Sequence, residues 1–338
     1  MTSRIPPDLR GRRSRDPFWV AVSALFHGIH RVRSLRTPVL PNIRPVDRSL
    51  TLVVREVRRE AVDVISLRLA ASDGGVLPTW QPGCHLDLLL PSGRRRQYSL
   101  CGDPADRRSY RVAVRRLPDG GGGSAEVHEE LAEGSTIKVQ GPRNAFPFLA
   151  SESYLFLAGG IGITPILPMV KAAERIGADW RLIYTGRSRA TLPFLDELAE
   201  LPSSRVEIRT DDEHGPPDCA DLLRDAGTSV YCCGPAGMID GVRAAFSAGT
   251  LHYERFTPPP IVDGRPFQIE LARTGAVIDV PADRSALEAI KEVLPSVAYS
   301  CRQGFCGTCR VGVLDGTADD SMLICVSRAQ GGRLTLDL

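Results

Sequence analysis

Three cysteines constrain the C-terminal part of this chain most tightly: Cys301-Arg-Gln-Gly-Phe-Cys306-Gly-Thr-Cys309, the spacing C-x4-C-x2-C. A segment so spaced has to curl if its thiols are to meet. Gly304 and Gly307 permit the curl, because glycine tolerates positive φ and lets backbone amides approach sulfur. The spacing matches the plant-type ligand pattern for a [2Fe–2S] cluster, which needs a fourth thiolate downstream; Cys325 can supply it. Zinc sites usually combine two C-x2-C arms or add histidines, and only one such arm is present. A disulfide framework suits small secreted domains, whereas this chain has 338 residues and nine cysteines. A [2Fe–2S] cluster moves single electrons, so function turns on what feeds it and what drains it.

The length predicts two to three domains of roughly 100–200 residues each. With 43% hydrophobic and 24% charged residues and a formal net charge of +2, the composition is that of a soluble globular protein and gives no argument for nucleic acid. No apolar run approaches the ~20 residues that span a bilayer. The odd cysteine count and the thiolate cluster point to a reducing, cytoplasmic setting.

Residues 1–48 form a basic extension, with ten arginines against three aspartates. Within residues 17–33, Phe18, Trp19, Val22, Leu25, Phe26, Ile29 and Val32 recur at helical spacing, which predicts an amphipathic helix. Two readings stand side by side: a peripheral membrane or partner contact, and a helix that packs on the protein's own body. Arg12-Arg13 is not followed by a sufficient apolar stretch for an export signal.

Residues 49–150 read as short strands divided by Gly, Pro and Asp turns, which predicts an antiparallel β-barrel. Expected strands are 50–54, 64–69, 86–90, 98–101, 110–115 and 136–140, with a turn at 119–123. Residues 151–256 alternate strands and helices, which predicts a doubly wound parallel sheet. The prolines of Thr257-Pro-Pro-Pro260 open a stiff linker, 257–266. Residues 267–338 begin with a hairpin pattern and a short helix at 285–294, ahead of the cysteine loop.

Three further motifs carry chemistry. Gly159-Gly160-Ile-Gly162-Ile-Thr164-Pro165 lies between a strand and a helix, where a pyrophosphate can approach backbone amides. Arg96-Gln97-Tyr98-Ser99 offers a cation for a phosphate, a ring for stacking and a hydroxyl for a ring nitrogen. Taken alone, it also reads as an ordinary strand. Cys232-Cys233-Gly234-Pro235 ends a strand at the edge where such sheets place ligands. One of its cysteines is expected in the core, and Cys233 at the site.

Taken in this order, these motifs resemble the phthalate dioxygenase reductase / vanillate O-demethylase reductase family of the ferredoxin–NADP reductase superfamily. Gly122-Gly123-Ser124, Pro142-Arg143-Asn144-x-Phe146, His252-x-Glu254-x-Phe256 and Cys325-Val326-Ser327-Arg328-Ala329 extend the match over residues 49–338. The resemblance implies a barrel that binds FMN rather than FAD, with Arg96, Gly123 and Ser124 near its phosphate and Tyr98 and Ser99 on its ring. It implies NADPH or NADH held by Gly160, Gly162, Thr164, Pro165 and Gly234, with Cys233 near the reactive edge and Phe256 covering the flavin. Cys233, Phe256 and Ser99 are the residues expected closest to the hydride transfer. The C-terminal domain is then a β-grasp ferredoxin with Cys301, Cys306, Cys309 and Cys325 as ligands, passing electrons to a partner such as a Rieske-type oxygenase or demethylase.

The chain also departs from the family. Only 15 residues separate Cys309 from Cys325, about a dozen fewer than plant-type ferredoxins have. Arg187, Ser188 and Arg189 follow the second strand of the parallel sheet and lean toward a 2′-phosphate, hence NADPH. Other acceptors stay open, namely a cytochrome P450 or a lipid desaturase. So does a redox sensor that no longer turns over.

Overall fold

The computed structural model describes Phe18, Trp19, Ala21 and Val22, then residues 49–118, 122–224, 229–256, 261–299, 302, 304, 307–316 and 319–338. The four N-terminal residues are helical; the rest of the helix expected over 17–33 lies outside the described residues. No described helix is long and apolar enough to cross a membrane.

Residues 50–144 form the predicted antiparallel barrel. Its strands are β1 (Leu50–Ala61), β2 (Val64–Ala71), β3 (Cys84–Leu89), β4 (Arg95–Ser99), β5 (Ser109–Arg115) and β6 (Thr136–Asn144), in the order β4-β3-β6-β1-β2-β5. An antiparallel bridge between Leu100 and Val112 joins the two edges and closes the sheet. Strand alternation drives Leu52, Val54, Leu67, Leu69, Leu86 and Val139 into one core. Strand β4 starts three residues earlier than 98–101, so Arg96 sits within the ladder. The expected turn at 119–123 instead leads into helix α1 (Gly123–Glu130), which starts behind Gly122 at φ 78°.

Residues 153–254 form a parallel sheet of β7 (Ser153–Gly159), β8 (Asp179–Gly186), β9 (Val206–Thr210), β10 (Ser229–Cys233) and β11 (Thr250–Glu254), in the order β11-β10-β7-β8-β9. Strand β7 is buried from Tyr154 to Gly159, as a strand covered on both faces must be. Helix α2 (Ile163–Arg175) follows the glycine turn, and α3 (Leu195–Ala199), α4 (Asp211–His214), α5 (Cys219–Leu222) and α6 (Ala236–Ala245) fill the remaining connections. The barrel is strapped to this sheet by ions. Glu197 of α3 takes both Arg111 of β5 and Lys171 of α2, and the Arg111 guanidinium lies 4.8 Å from the centre of the Phe194 ring.

The third sheet holds β12 (Phe267–Leu271), β13 (Val277–Val280), β14 (Arg310–Asp315), β15 (Ser321–Leu323) and β16 (Arg333–Leu336), in the order β13-β12-β16-β14-β15. The predicted hairpin is β12 and β13, and β12 pairs parallel with β16. Helix α7 (Ala286–Val293) is started by Ser285, which accepts from the Glu288 N–H while the Glu288 carboxylate reaches back to the Ser285 N–H. Its Ala286, Leu287 and Ile290 pack into the same core as Cys309 and Cys325, giving the mixed sheet and single helix expected of a β-grasp domain.

Candidate functional site

A cavity of ≈ 490 Å³ opens where the barrel meets the parallel sheet. Arg96, Tyr98 and Ser99 line it from β4, and Ser124 from α1. Gly162 and Gly234 line it from the turns after β7 and β10, Thr164 from the first turn of α2, with Phe256 at its rim. Three distant motifs of the sequence therefore share one chamber, at the carboxyl ends of the parallel strands, where doubly wound sheets bind ligands. Phe256 is 47% exposed, so its ring is available to cover the chamber.

The neighbouring residues explain how this wall is shaped. Gly123 lies so close to Arg96 that a Cβ there would stand 2.3 Å from Arg96 Nε. The Ser124 hydroxyl oxygen accepts from the Leu117 N–H at 3.0 Å. Glu126 accepts from the Ser92 N–H at 2.7 Å and from the Ser92 hydroxyl at 2.6 Å, pinning the β3–β4 turn to α1. Burial pushes the Tyr98 hydroxyl up to about 12, so it stays a neutral donor.

Other expected residues sit elsewhere. Gly160 adopts φ +54°, a left-handed backbone, beside Arg115 of the barrel. Pro165 is buried within α2. A Cβ on Gly162 would meet the Cys233 carbonyl oxygen at 2.2 Å, so this glycine lets two backbones touch. Cys233 itself is fully buried beneath that contact, and Cys232 faces the opposite core. Arg187, Ser188 and Arg189 lie in the β8–α3 connection and do not line the chamber. The Ser188 carbonyl accepts from the Thr191 N–H at 3.0 Å and from the Thr191 hydroxyl at 2.8 Å, and Arg189 Nε meets Glu213 Oε1 at 3.1 Å.

One site residue stands out that sequence reading gave no role. Glu254 ends β11, is buried, and accepts from the Ser99 hydroxyl at 3.5 Å, the long limit of a hydrogen bond. Burial lifts its carboxyl from 4.5 to about 8, opposed by the Ser99 bond. The sequence names it only within the motif His252-x-Glu254-x-Phe256, and the contact that marks it in the fold comes from Ser99 of the barrel. A smaller cavity of ≈ 140 Å³ lies beyond Ser99, Glu254 and Phe256, and its other wall is Tyr299 and Arg302 of the third domain.

Of the four expected cluster ligands, Cys301 and Cys306 lie outside the described residues. The other two converge despite the short connection. Cys309 Sγ and Cys325 Sγ lie 3.1 Å apart, both buried and neither in a disulfide. The bond from Cys325 draws the Cys309 thiol down to about 6, against the effect of burial, which suits a thiolate ligand. Gly304 and Gly307 take positive φ, 87° and 72°, as the curl requires. This donor chemistry fits a thiolate-held iron–sulfur cluster, and the chamber fits a flat ring with a phosphate tail.

Comparison with known proteins agrees with this geometry. A family described as 2Fe-2S iron-sulfur cluster binding domain matches residues 269–330. The chain is 38% identical over 324 residues to the reductase subunit of tert-butanol monooxygenase / tert-amyl alcohol desaturase of Aquincola tertiaricarbonis, covering 86% of this chain and 96% of that protein. It is 34% identical over 317 residues to phthalate dioxygenase reductase of Burkholderia cepacia, covering 86% and 98%. The solved structure of phthalate dioxygenase reductase superposes with a TM-score of 0.68 at 35% identity, covering 86% of this chain and 98% of that one. An intact type IV self-sufficient cytochrome P450 monooxygenase matches with a TM-score of 0.71 at 34% identity, over 90% of this chain; the chain spans 44% of that longer protein.

Proposed function

From the premise that this chain belongs to the phthalate dioxygenase reductase / vanillate O-demethylase reductase family, and is an NAD(P)H-dependent flavin and iron–sulfur oxidoreductase of an oxygenase system, we propose how its residues divide that task. When bound, the flavin takes up a hydride and the cluster carries its electrons onward one at a time. The protein holds, orients and shields.

Arg96, Gly123 and Ser124 receive the flavin phosphate, with the amino end of α1 adding backbone N–H groups. This is a seat for one terminal phosphate, and we assign FMN over FAD. Tyr98 stacks on the ring, and Ser99 sits at its edge. Gly160, Gly162, Thr164, Pro165 and Gly234 shape the nicotinamide side, and Phe256 occupies that side until the nucleotide displaces it. Cys233 supports the floor from below. Glu254 stays protonated near neutrality and takes the Ser99 hydrogen bond, so no anion faces the ring. Cys301, Cys306, Cys309 and Cys325 hold the cluster.

The observation that carries this reading is the shared chamber. The side chains of β4 and the loops after β7 and β10 meet there, next to the crevice that leads to Tyr299 and Arg302. The test is the visible spectrum of the purified protein before and after NADH or NADPH. Flavin and iron–sulfur bands that bleach together support the reading; a protein that purifies without either chromophore overturns it.

The acceptor is an oxygenase component, which we assign to the Rieske type. A P450 acceptor is the second reading, favoured by the match to the self-sufficient P450. Reconstitution with each acceptor type separates the two. The arginine-rich arm, with residues 17–33, adds a membrane-surface contact to this reading. Liposome co-sedimentation of the full chain against one starting at Ser49 tests it.

A further inference from the structure

The ribose end of a doubly wound nucleotide site lies at the end of the second strand, where an acidic residue suits a free 2′-hydroxyl and arginine suits a 2′-phosphate. Here that end is Gly186 of β8, followed by Arg187, Ser188 and Arg189. Sequence alone makes these three a phosphate seat. The fold brings in three carboxylates that sequence order keeps 22 or more positions away.

Strand β9 pairs with β8 in parallel, matching Gly186 to Thr210, so α4 starts beside the β8 end. The Asp212 N–H donates to the Arg187 carbonyl at 3.2 Å, which ties the two loops together. Arg189 Nε donates to Glu213 Oε1 at 3.1 Å. The Ser188 backbone is committed as well: its carbonyl accepts from the Thr191 N–H at 3.0 Å and from the Thr191 hydroxyl at 2.8 Å, while its N–H donates to the Thr191 hydroxyl at 3.3 Å. Arg187 and Arg189 thus share this edge with Asp211, Asp212 and Glu213.

We propose that Glu213 is the nucleotide-choice residue of this enzyme, and that by occupying Arg189 it makes NADH the preferred donor over NADPH. The inference rests on the reductase reading above and assigns the selectivity of its nucleotide site. A 2′-phosphate would have to detach Arg189 from Glu213 and would then share that guanidinium's place with the freed Glu213 carboxylate, well inside the Debye length, with His214 Nδ1 at 4.0 Å as that carboxylate's other basic neighbour. A 2′-hydroxyl meets neither obstacle. The Arg189–Glu213 pair is exposed, at 56% and 43%, so it adds little stability, and its effect is one of charge placement. Glu213 acts through Arg189 and is a positioning residue.

The test is kcat/KM of the holoenzyme for both nucleotides, with cytochrome c as acceptor, at low and high salt. The wild-type chain is expected to favour NADH, with the NADPH disadvantage narrowing as salt rises. Glu213→Gln should raise the NADPH to NADH ratio of kcat/KM by about threefold to tenfold, through KM for NADPH and not kcat. Glu213→Asp should hold the wild-type ratio. Calorimetric binding of 2′,5′-ADP, which needs no turnover, should tighten in Glu213→Gln. A wild-type preference for NADPH, or a Glu213→Gln ratio equal to wild type, overturns the proposal. Oxidation of neither nucleotide overturns the reductase reading itself, and this inference with it.

Discussion

The Ser99 hydroxyl and the Glu254 carboxylate meet at 3.5 Å although 155 positions separate them in the chain. Their contact joins the last residue of a barrel strand to the last residue of a parallel strand, at the back of the chamber. It gives a pH dependence whose sign can be worked out. Burial raises the Glu254 carboxyl from its ordinary 4.5 to about 8. Between those values the unfolded chain has ionised this group while the folded protein keeps its proton. The folded state then binds more protons, so its stability is greatest below the lower value and falls as pH rises through the window, by about 1.4 kcal/mol per pH unit. Glu254→Gln should flatten that slope. Thermal melts of both proteins across the window check it, and parallel slopes would remove the assignment.

Cys325→Ser should abolish the iron–sulfur bands and cytochrome c reduction while the flavin absorbance stays. The reason is geometric: Cys325 faces Cys309 at 3.1 Å inside the core of the third domain, with no other described thiol in reach of its place. Absorption spectra and iron content of the variant decide the matter. Iron retained at the wild-type level would show that the short connection is served by another ligand set.

Gly123→Ala should loosen the flavin without unfolding the barrel. The added methyl meets the Arg96 side chain at 2.3 Å, and a long side chain can swing aside where a backbone cannot. Arg96 then leaves its place beside α1. A tenfold weaker flavin affinity, about 1.4 kcal/mol, is the expected scale. Flavin release on dilution, followed by fluorescence, measures it.

Gly162→Ala should behave in the opposite way. Its methyl would press on the Cys233 backbone at 2.2 Å, and neither β10 nor the start of α2 has room to yield. A loss of roughly 1–3 kcal/mol is expected from such overpacking. A melting temperature equal to wild type would show that this turn can rearrange.

These variants also mark where sequence was legible. The barrel could be read because its strands alternate inward Leu and Val with outward charge, as Leu52 and Val54 do in β1. The glycine turn before α2 could be read because a buried strand leads into it. Arg96, Tyr98, Ser99, Ser124 and Phe256 came from motif order, and they meet in one chamber. Glu254 escaped because its burial is made by a partner strand in another domain. The ion pair of Arg189 escaped for the same reason, since Glu213 approaches through the pairing of β8 with β9. Helix α1 was not foreseen beyond the turn expected at 119–123, because four glycines precede its short polar run, and its packing against β5 supplies what propensity does not.

Cys232 and Cys233 are neighbours on one strand whose side chains enter opposite cores. Both are fully buried, and burial raises both thiols: Cys232 to about 12, Cys233 well above its ordinary range. Neither can be alkylated while its own face stays shut. Cys233 becomes reachable only when the seam with the barrel opens, and Cys232 only when α6 lifts from the sheet. Two adjacent sulfurs therefore act as independent clocks, and the rate at which each is alkylated times the breathing of its own side of the sheet.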